Sequence, residues 1–282
     1  MTGTVTELWR YPVKSMLGER LDSTEISEHG VTGDRAFALI DEETGKVCSA
    51  KRHDLWGGLF GFRAKLVSEQ PRIAHITFPD GSEATTNDAD VSDRLTEALG
   101  RKVVLSAMVP ADAKLEELWD EAKGTDKYYG PVIGERNGEP LIEINASIAS
   151  PGDFFDAAAI HLITRNTLDE LSRREPESRF EVRRFRPNIV VDVADTEGFV
   201  ENDWKVMRSG ALEMRTLLPV PRCVMTTLPQ GDLPKDRNVL RAAAVHNMVD
   251  TKVVGVMPCA GLYAMVATGG DLRVADTLTA DA

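Results

Sequence analysis

Residues 183–193 read RRFRPNIVVDV: three arginines within four positions, a proline, an asparagine, then an apolar β-branched run. A short run without polar alternation is the pattern of a strand buried on both faces. Pro187 removes a backbone donor and stiffens the approach to that strand. Outward from it, WKVMRSG (204–210), ALEMRTLL (211–218), GLYAMVAT (261–268) and DLRVADTL (271–278) read as further strands with glycine turns between them. The first hundred residues repeat the pattern in TVTELWRY, RLDSTEIS, RAFALID, FRAKLVSE and RIAHITFP, with Pro79-Asp80-Gly81 as a turn. KVVLSAMV (102–109) is a further strand. Helical spacing is confined to VSDRLTEALG (91–100, capped by Asp90), RNTLDELSRRE (165–175, capped by Thr164) and DRNVLRAAAVHNM (236–248). There is no regular βαβ alternation. The expected class is therefore α+β and strand-dominated, with barrels or folded sheets carrying short helices.

The 282 residues carry 33 Lys and Arg against 45 Asp and Glu, a formal net charge of −12. That balance argues against a nucleic-acid or anionic-membrane partner, since both are bound through excess basic residues. No run of about 18 apolar residues occurs, and the start lacks a basic end followed by an apolar stretch. A soluble cytoplasmic protein is expected. Three chain regions emerge: 1–110, β-rich; 111–155, an acidic connecting excursion or lid; and 156–282, a second strand-dominated domain.

Several short stretches carry chemistry. In Tyr11-Pro12-Val13-Lys14-Ser15 the Lys14 ammonium and Ser15 hydroxyl suit an anion; alone, the pentapeptide reads as a solvated strand end. Gly33-Asp34-Arg35 reads as a surface ion pair, or as an Arg turned into a pocket. Lys51-Arg52-His53 reads as a solvated basic loop. For Arg183, Arg184 and Arg186, with Asn188, an anion-binding rim and a structural ion-pair network both stay open. The turn Thr164-Arg165-Asn166 opens a helix, whose N-terminus favours phosphate.

The three cysteines, Cys48, Cys223 and Cys259, are an odd number without a close pair, so no disulfide framework is expected. Cys48 falls in a strand and is structural. Cys259 follows Pro258 in an expected loop. Cys223 sits in PVPRCVMTT (219–227), after two prolines and beside Arg222, a cation that favours thiolate. The five histidines show no HxxxH or HExxH spacing, and no P-loop or dinucleotide fingerprint occurs.

Taken together and in order, YPVKS, GDR, FRPNIVV and PRCVMTT with the following QGDLPKD resemble the MOSC family, proteins related to the C-terminal domain of the molybdenum cofactor sulfurase. The resemblance runs from about residue 4 to about residue 276. It implies an N-terminal MOSC-type β-rich domain, a C-terminal MOSC β-barrel and a molybdenum cofactor (molybdopterin) between them. It implies that Cys223 is the molybdenum ligand and catalytic centre. It further implies that Lys14, Ser15, Arg35, Thr164, Arg165, Asn166, Arg186, Asn188, Arg222 and Tyr263 hold the pterin and its phosphate. The implied activity is oxygen-atom transfer from a small N-hydroxylated or N-oxidised substrate, with electrons from a separate electron-transfer protein. A sulfur transferase using a Cys223 persulfide and a non-catalytic cofactor carrier are the alternatives. Pro221 stands where some relatives carry a small hydroxyl residue.

Overall fold

The computed structural model describes residues 1–145 and 154–282. Its centre is a closed barrel of β1 (Thr2–Arg10), β2 (Ile160–Thr164), β3 (Ile189–Asp192), β4 (Val206–Ser209), β5 (Leu212–Pro221), β6 (Val256–Thr268) and β7 (Thr277–Asp281). Around the barrel the order is β2-β3-β1-β7-β4-β5-β6, and β6 closes back on β2 through Ile160↔Ala264, His161↔Tyr263 and Leu162↔Leu262. Only the β2–β3 pair in this ring is parallel. The N-terminal strand is thus built into a barrel whose other six strands lie beyond residue 159.

The reading of IVVDV as a strand buried on both faces holds, and the packing says why. Ile189 and Val191 point into the barrel with Val5, Leu8, Leu162, Met207 and Leu278. Val190 points outward, onto Leu168 and Leu171 of the helix Arg165–Arg174 and onto Val239 and Ala242 of the helix Asn238–His246. Successive side chains alternate faces, so a strand between two apolar layers shows no polar alternation in its sequence.

A second core gathers Val13, Met16, Phe37, Leu39, Leu59, Phe62, Ile76 and Leu95 from residues 13–106. The helix Val91–Leu99 ends as expected on Gly100, whose φ of +67° is left-handed. Asp90 makes no side-chain cap bond there, whereas Thr164 does cap its helix by accepting from Thr167 N–H. Within 111–145 a three-stranded sheet forms from Lys114–Leu118, Val132–Arg136 and Glu139–Asn145. It is stitched to the first region by Val47 N–H to Lys114 O (2.8 Å) and Leu118 N–H to Lys51 O (3.1 Å). Other expectations change too. Cys48, though buried, lies in no strand. DLRVADTL breaks into Gly270–Arg273 and the start of β7, because the Asp276 carboxylate turns the chain by accepting from Arg273 N–H (2.8 Å). Cys259 lies in β6, fully buried, and not in a loop. Among the described residues no helix is long and apolar enough to cross a membrane.

The barrel seam depends on one glycine. Gly261 has φ +83°, and a Cβ there would stand 2.5 Å from Leu162 O and 2.7 Å from His161 Nε2. Both the backbone and the neighbouring strand therefore reject a side chain. Gly261→Ala is expected to destabilise the fold by more than about 1 kcal/mol, read as a lower urea midpoint at unchanged slope. An unchanged midpoint would contradict this placement of the seam.

Candidate functional site

The site gathers the chain where β1 ends and β2 and β3 begin, together with the chain leaving β5. Asn188 immediately precedes β3, His161 is the second residue of β2, Pro221 ends β5, and Arg222 and Cys223 follow it. The chain leaving β1 at Tyr11 crosses to the second core and returns at Arg35, with Arg35 N–H donating to Tyr11 O (2.8 Å). The resulting cleft is lined by Lys14, Ser15, Arg35, Arg186, Asn188, Arg222, Cys223 and Tyr263, which is to say eight of the residues singled out from the sequence.

Asp34 holds the two sides together. Its buried carboxylate accepts from Tyr11 N–H (2.7 Å), Asn188 Nδ2 (2.9 Å) and Arg35 Nη1. Asn188 in turn accepts from His161 N–H through Oδ1 (3.1 Å), so its orientation is fixed by both partners. The Arg35 and Arg186 guanidinium groups lie 4.5 Å and 4.3 Å from the centroid of the Tyr11 ring, and Arg35 Nη2 donates to Arg186 O (3.1 Å). Ser15, Arg35 and Arg186 all have positive φ, at 63°, 47° and 57°. Left-handed backbone at a non-glycine residue costs roughly 1–2 kcal/mol and persists where surrounding structure imposes it. Three of the eight such residues in the described chain stand around this cleft.

The charges do not balance. Six cations line the cleft (Lys14, Arg35, Lys51, Arg184, Arg186, Arg222) against the single carboxylate of Asp156, with Asp34 behind Arg35. Arg186 donates to Met16 O (2.6 Å) and has no carboxylate partner among the described residues; burial and then the Arg35 charge push its pKa down to about 10. Arg222 donates from Nη2 to Phe185 O (2.8 Å), while its buried Nε has no partner. Burial lowers the Arg222 pKa as well. Burial also holds His161 well below its usual range, followed by the Arg222 charge, so the imidazole is neutral. A buried guanidinium with an unused donor is costly in water-free surroundings. Such a donor set fits an anion with several acceptor oxygens, such as a phosphate.

Cys223 has extended backbone and caps the short turn Val224–Thr227. Its carbonyl accepts from Thr226 N–H (3.2 Å) and Thr226 Oγ1 (3.0 Å). Arg184 pins the loop that follows by donating to Thr226 O, Leu228 O and Pro234 O. Burial pushes the Cys223 thiol up and Glu117 adds to this, while Lys51 and Lys123 oppose it. The thiolate expected from Arg222 is therefore not the resting form; a soft metal ion would displace the proton.

The arginine trio divides by role. Arg183 pairs with Asp232 (2.6 Å), Arg184 serves the loop carbonyls, and Arg186 faces the cleft. The Thr164-Arg165-Asn166 turn stands apart from the cleft. Thr164 and Thr167 hydroxyls both bond to the buried Glu201 carboxyl group (2.7 and 2.8 Å), so a side chain of the protein itself occupies that helix start. Arg165 pairs with Glu7, and Asn166 donates to Val193 O (2.8 Å) and Thr196 O (2.9 Å). Lys51, expected in a solvated loop, also lines the cleft, as do Asp156 and His161, which the sequence did not single out. Lys51 and Arg52 are buried, so that triplet is not a solvated loop. His161 was hidden within the apolar run AAIHLIT, and nothing local marks Asp156 as the partner of Lys14.

Known proteins resemble this chain along most of its length. The profile of the MOSC domain matches residues 150–279, and that of the MOSC N-terminal beta barrel domain matches residues 2–113. The mitochondrial amidoxime-reducing component 1 of Danio rerio is 31% identical over 289 residues, covering 97% of this chain and 83% of that protein. The chain belongs to the MOSC family. Mitochondrial amidoxime reducing component 2 of Rattus norvegicus is 26% identical and that of Macaca fascicularis 25%, each over 97% of this chain and 82% of theirs. In this MOSC protein the cleft lies where the two matched regions meet.

A phosphate-bearing ligand should therefore depend on the cleft arginines and not on the helix turn. Arg35→Ala and Arg186→Ala are each expected to weaken binding of molybdopterin roughly ten- to a hundred-fold, as for a charge-assisted two-pronged contact. Arg165→Ala should leave it unchanged. Anaerobic equilibrium dialysis measures all three, and equal loss in Arg165→Ala would return the helix turn to the site.

Proposed function

We propose that this MOSC protein is a molybdenum-cofactor oxidoreductase that reduces N-hydroxylated or N-oxidised compounds. The observation that carries this reading is the cleft itself: a cysteine at the mouth of a buried, under-neutralised set of cationic donors. Membership of the MOSC family, with relatives named amidoxime reducing components, supports it.

Cys223 would hold the metal through sulfur, a soft ligand suited to it. Arg35, Arg186 and Arg222, with Lys14 and Ser15, would hold the pterin phosphate and ring edge. When bound, the cofactor supplies two-electron oxygen-atom transfer chemistry. The chain's own part is to bind and orient. Asp34 and Asn188 fix the two walls, and the strained Ser15, Arg35 and Arg186 are preorganised by packing and by carbonyl contacts. The neutral His161 ring, set against Tyr263 at 5.7 Å between centroids, adds polar groups without adding charge. In the overall reaction the N–O bond breaks, and two electrons and two protons convert the oxygen to water. A separate electron-transfer protein supplies the electrons.

The test uses protein purified from a cofactor-producing host. With NADH alone it should be inert toward benzamidoxime. With a reduced viologen dye it should consume reductant only when substrate is present. Cys223→Ala should abolish the rate, and Cys48→Ala, in the other core, should leave it nearly intact. Metal-loaded protein that oxidises no dye with any N-hydroxylated, N-oxide or sulfoxide substrate would overturn the reductase reading. A stable sulfur label on Cys223 would then move the assignment to sulfur transfer.

A further inference from the structure

The sheet of residues 114–145 delivers a buried chain of alternating charge into the cleft. Lys14 pairs with Asp156; Asp156 Oδ2 lies 3.4 Å from Lys51 Nζ; Lys51 Nζ lies 3.8 Å from Glu117 Oε2; and Glu117 Oε1 accepts from Lys123 Nζ at 2.5 Å. Tyr129 Oη donates to the same Glu117 carboxylate, and Lys123 Nζ sits 3.4 Å from the centroid of the Trp119 ring. Glu117 and Lys123 are fully buried.

Three ammonium groups face two carboxylates, so the chain keeps one positive charge in excess. The two outer ammonium groups are engaged: Lys14 donates to Phe154 O (2.8 Å) and to Asp156, and Lys123 donates to Glu117. Lys51 is different. It stands between two carboxylates at distances beyond a normal N–H···O bond, and among the described residues its Nζ donates no hydrogen bond. It lines the cleft with Cys223, near enough for each charge to act on the other. Burial alone would lower its pKa, but Asp156 and Glu117 raise it above the ordinary lysine range, so it stays an ammonium. A group that holds its proton this firmly is a fixed donor and not a proton source.

We propose that Lys51 is a substrate-recognition residue whose ammonium donates to the oxygen of the substrate's N–O group, with Glu117 as the residue that positions it. This rests on the reductase reading above. It assigns the excursion a role: the Lys123–Glu117–Tyr129 cluster aims Lys51 into the cleft. It also sets a preference for substrates whose oxygen carries negative charge, so N-oxides depend on Lys51 more than neutral N-hydroxy compounds do.

The test compares Lys51→Met and Lys51→Arg with wild-type holoenzyme. Molybdenum and pterin content should be the same in all three. The dissociation constant of pyridine N-oxide for the oxidised protein, by equilibrium dialysis, should rise about tenfold or more in Lys51→Met, the scale of one charged hydrogen bond. Benzamidoxime binding should weaken less, and Lys51→Arg should restore most of both. Glu117→Gln should weaken N-oxide binding in the same order with cofactor retained. If Lys51→Met does not fold, Lys51→Gln is read in its place. Unchanged affinity in a cofactor-loaded Lys51→Met variant overturns the proposal, as does loss of cofactor from it, which would make Lys51 a cofactor ligand. Failure of the underlying reading shows separately, as wild-type protein without molybdenum or without dye oxidation on any N–O substrate.

Discussion

Positive charge buried without matching negative charge is the constraint on which the rest of this structure depends. Arg186 and Arg222 are enclosed, share no carboxylate among the described residues, and have pKa values depressed by burial. Removing a charge from water without a partner costs several kcal/mol in real proteins. The fold sustains that cost at the one cleft where it also holds three non-glycine residues in left-handed backbone. An anion bound there would offset the unpaired charge, and this supports reading the cleft as a binding site.

The surrounding architecture serves this arrangement. The Asp34 carboxylate bonds the end of β1, Arg35 and Asn188, so the barrel and the second core share one polar fastening. Arg184 spends its donors on carbonyls and so fixes the loop after Cys223, leaving Arg186 free to face the cleft. The sheet of residues 114–145 contributes from the third side, through Glu117 and its hold on Lys51. A change at Glu117 would act on the cleft without touching it.

How much of this was legible in the sequence differs residue by residue. IVVDV could be read as a doubly buried strand because both of its faces are apolar, and Gly100 and Thr164 obeyed local rules for helix ends. Cys223, Arg222 and Arg186 stood out because cations next to a rigid extended segment are rare in an acidic chain. The helix turn at 164–166 carries a weaker signal for phosphate, common to most helix starts, and its donors are taken by Glu201, 37 positions from Thr164, and by carbonyls about 30 positions away. Lys51 looked like part of a solvated triplet because the groups that bury it, Glu117 and Asp156, come from distant sequence. Local pattern reports propensity and periodicity; it does not report which carboxylate a lysine will meet.

The central claim is that the cleft's excess charge is answered by an anionic cofactor held on Cys223. Native mass spectrometry of the protein, purified in parallel from hosts able and unable to make that cofactor, tests it most directly. The account predicts one molybdenum-bearing pterin per chain from the first host, the bare-chain mass from the second, and loss of the extra mass in Cys223→Ala combined with Arg186→Ala. A bare-chain mass from both hosts, with the cleft arginines intact, would contradict it.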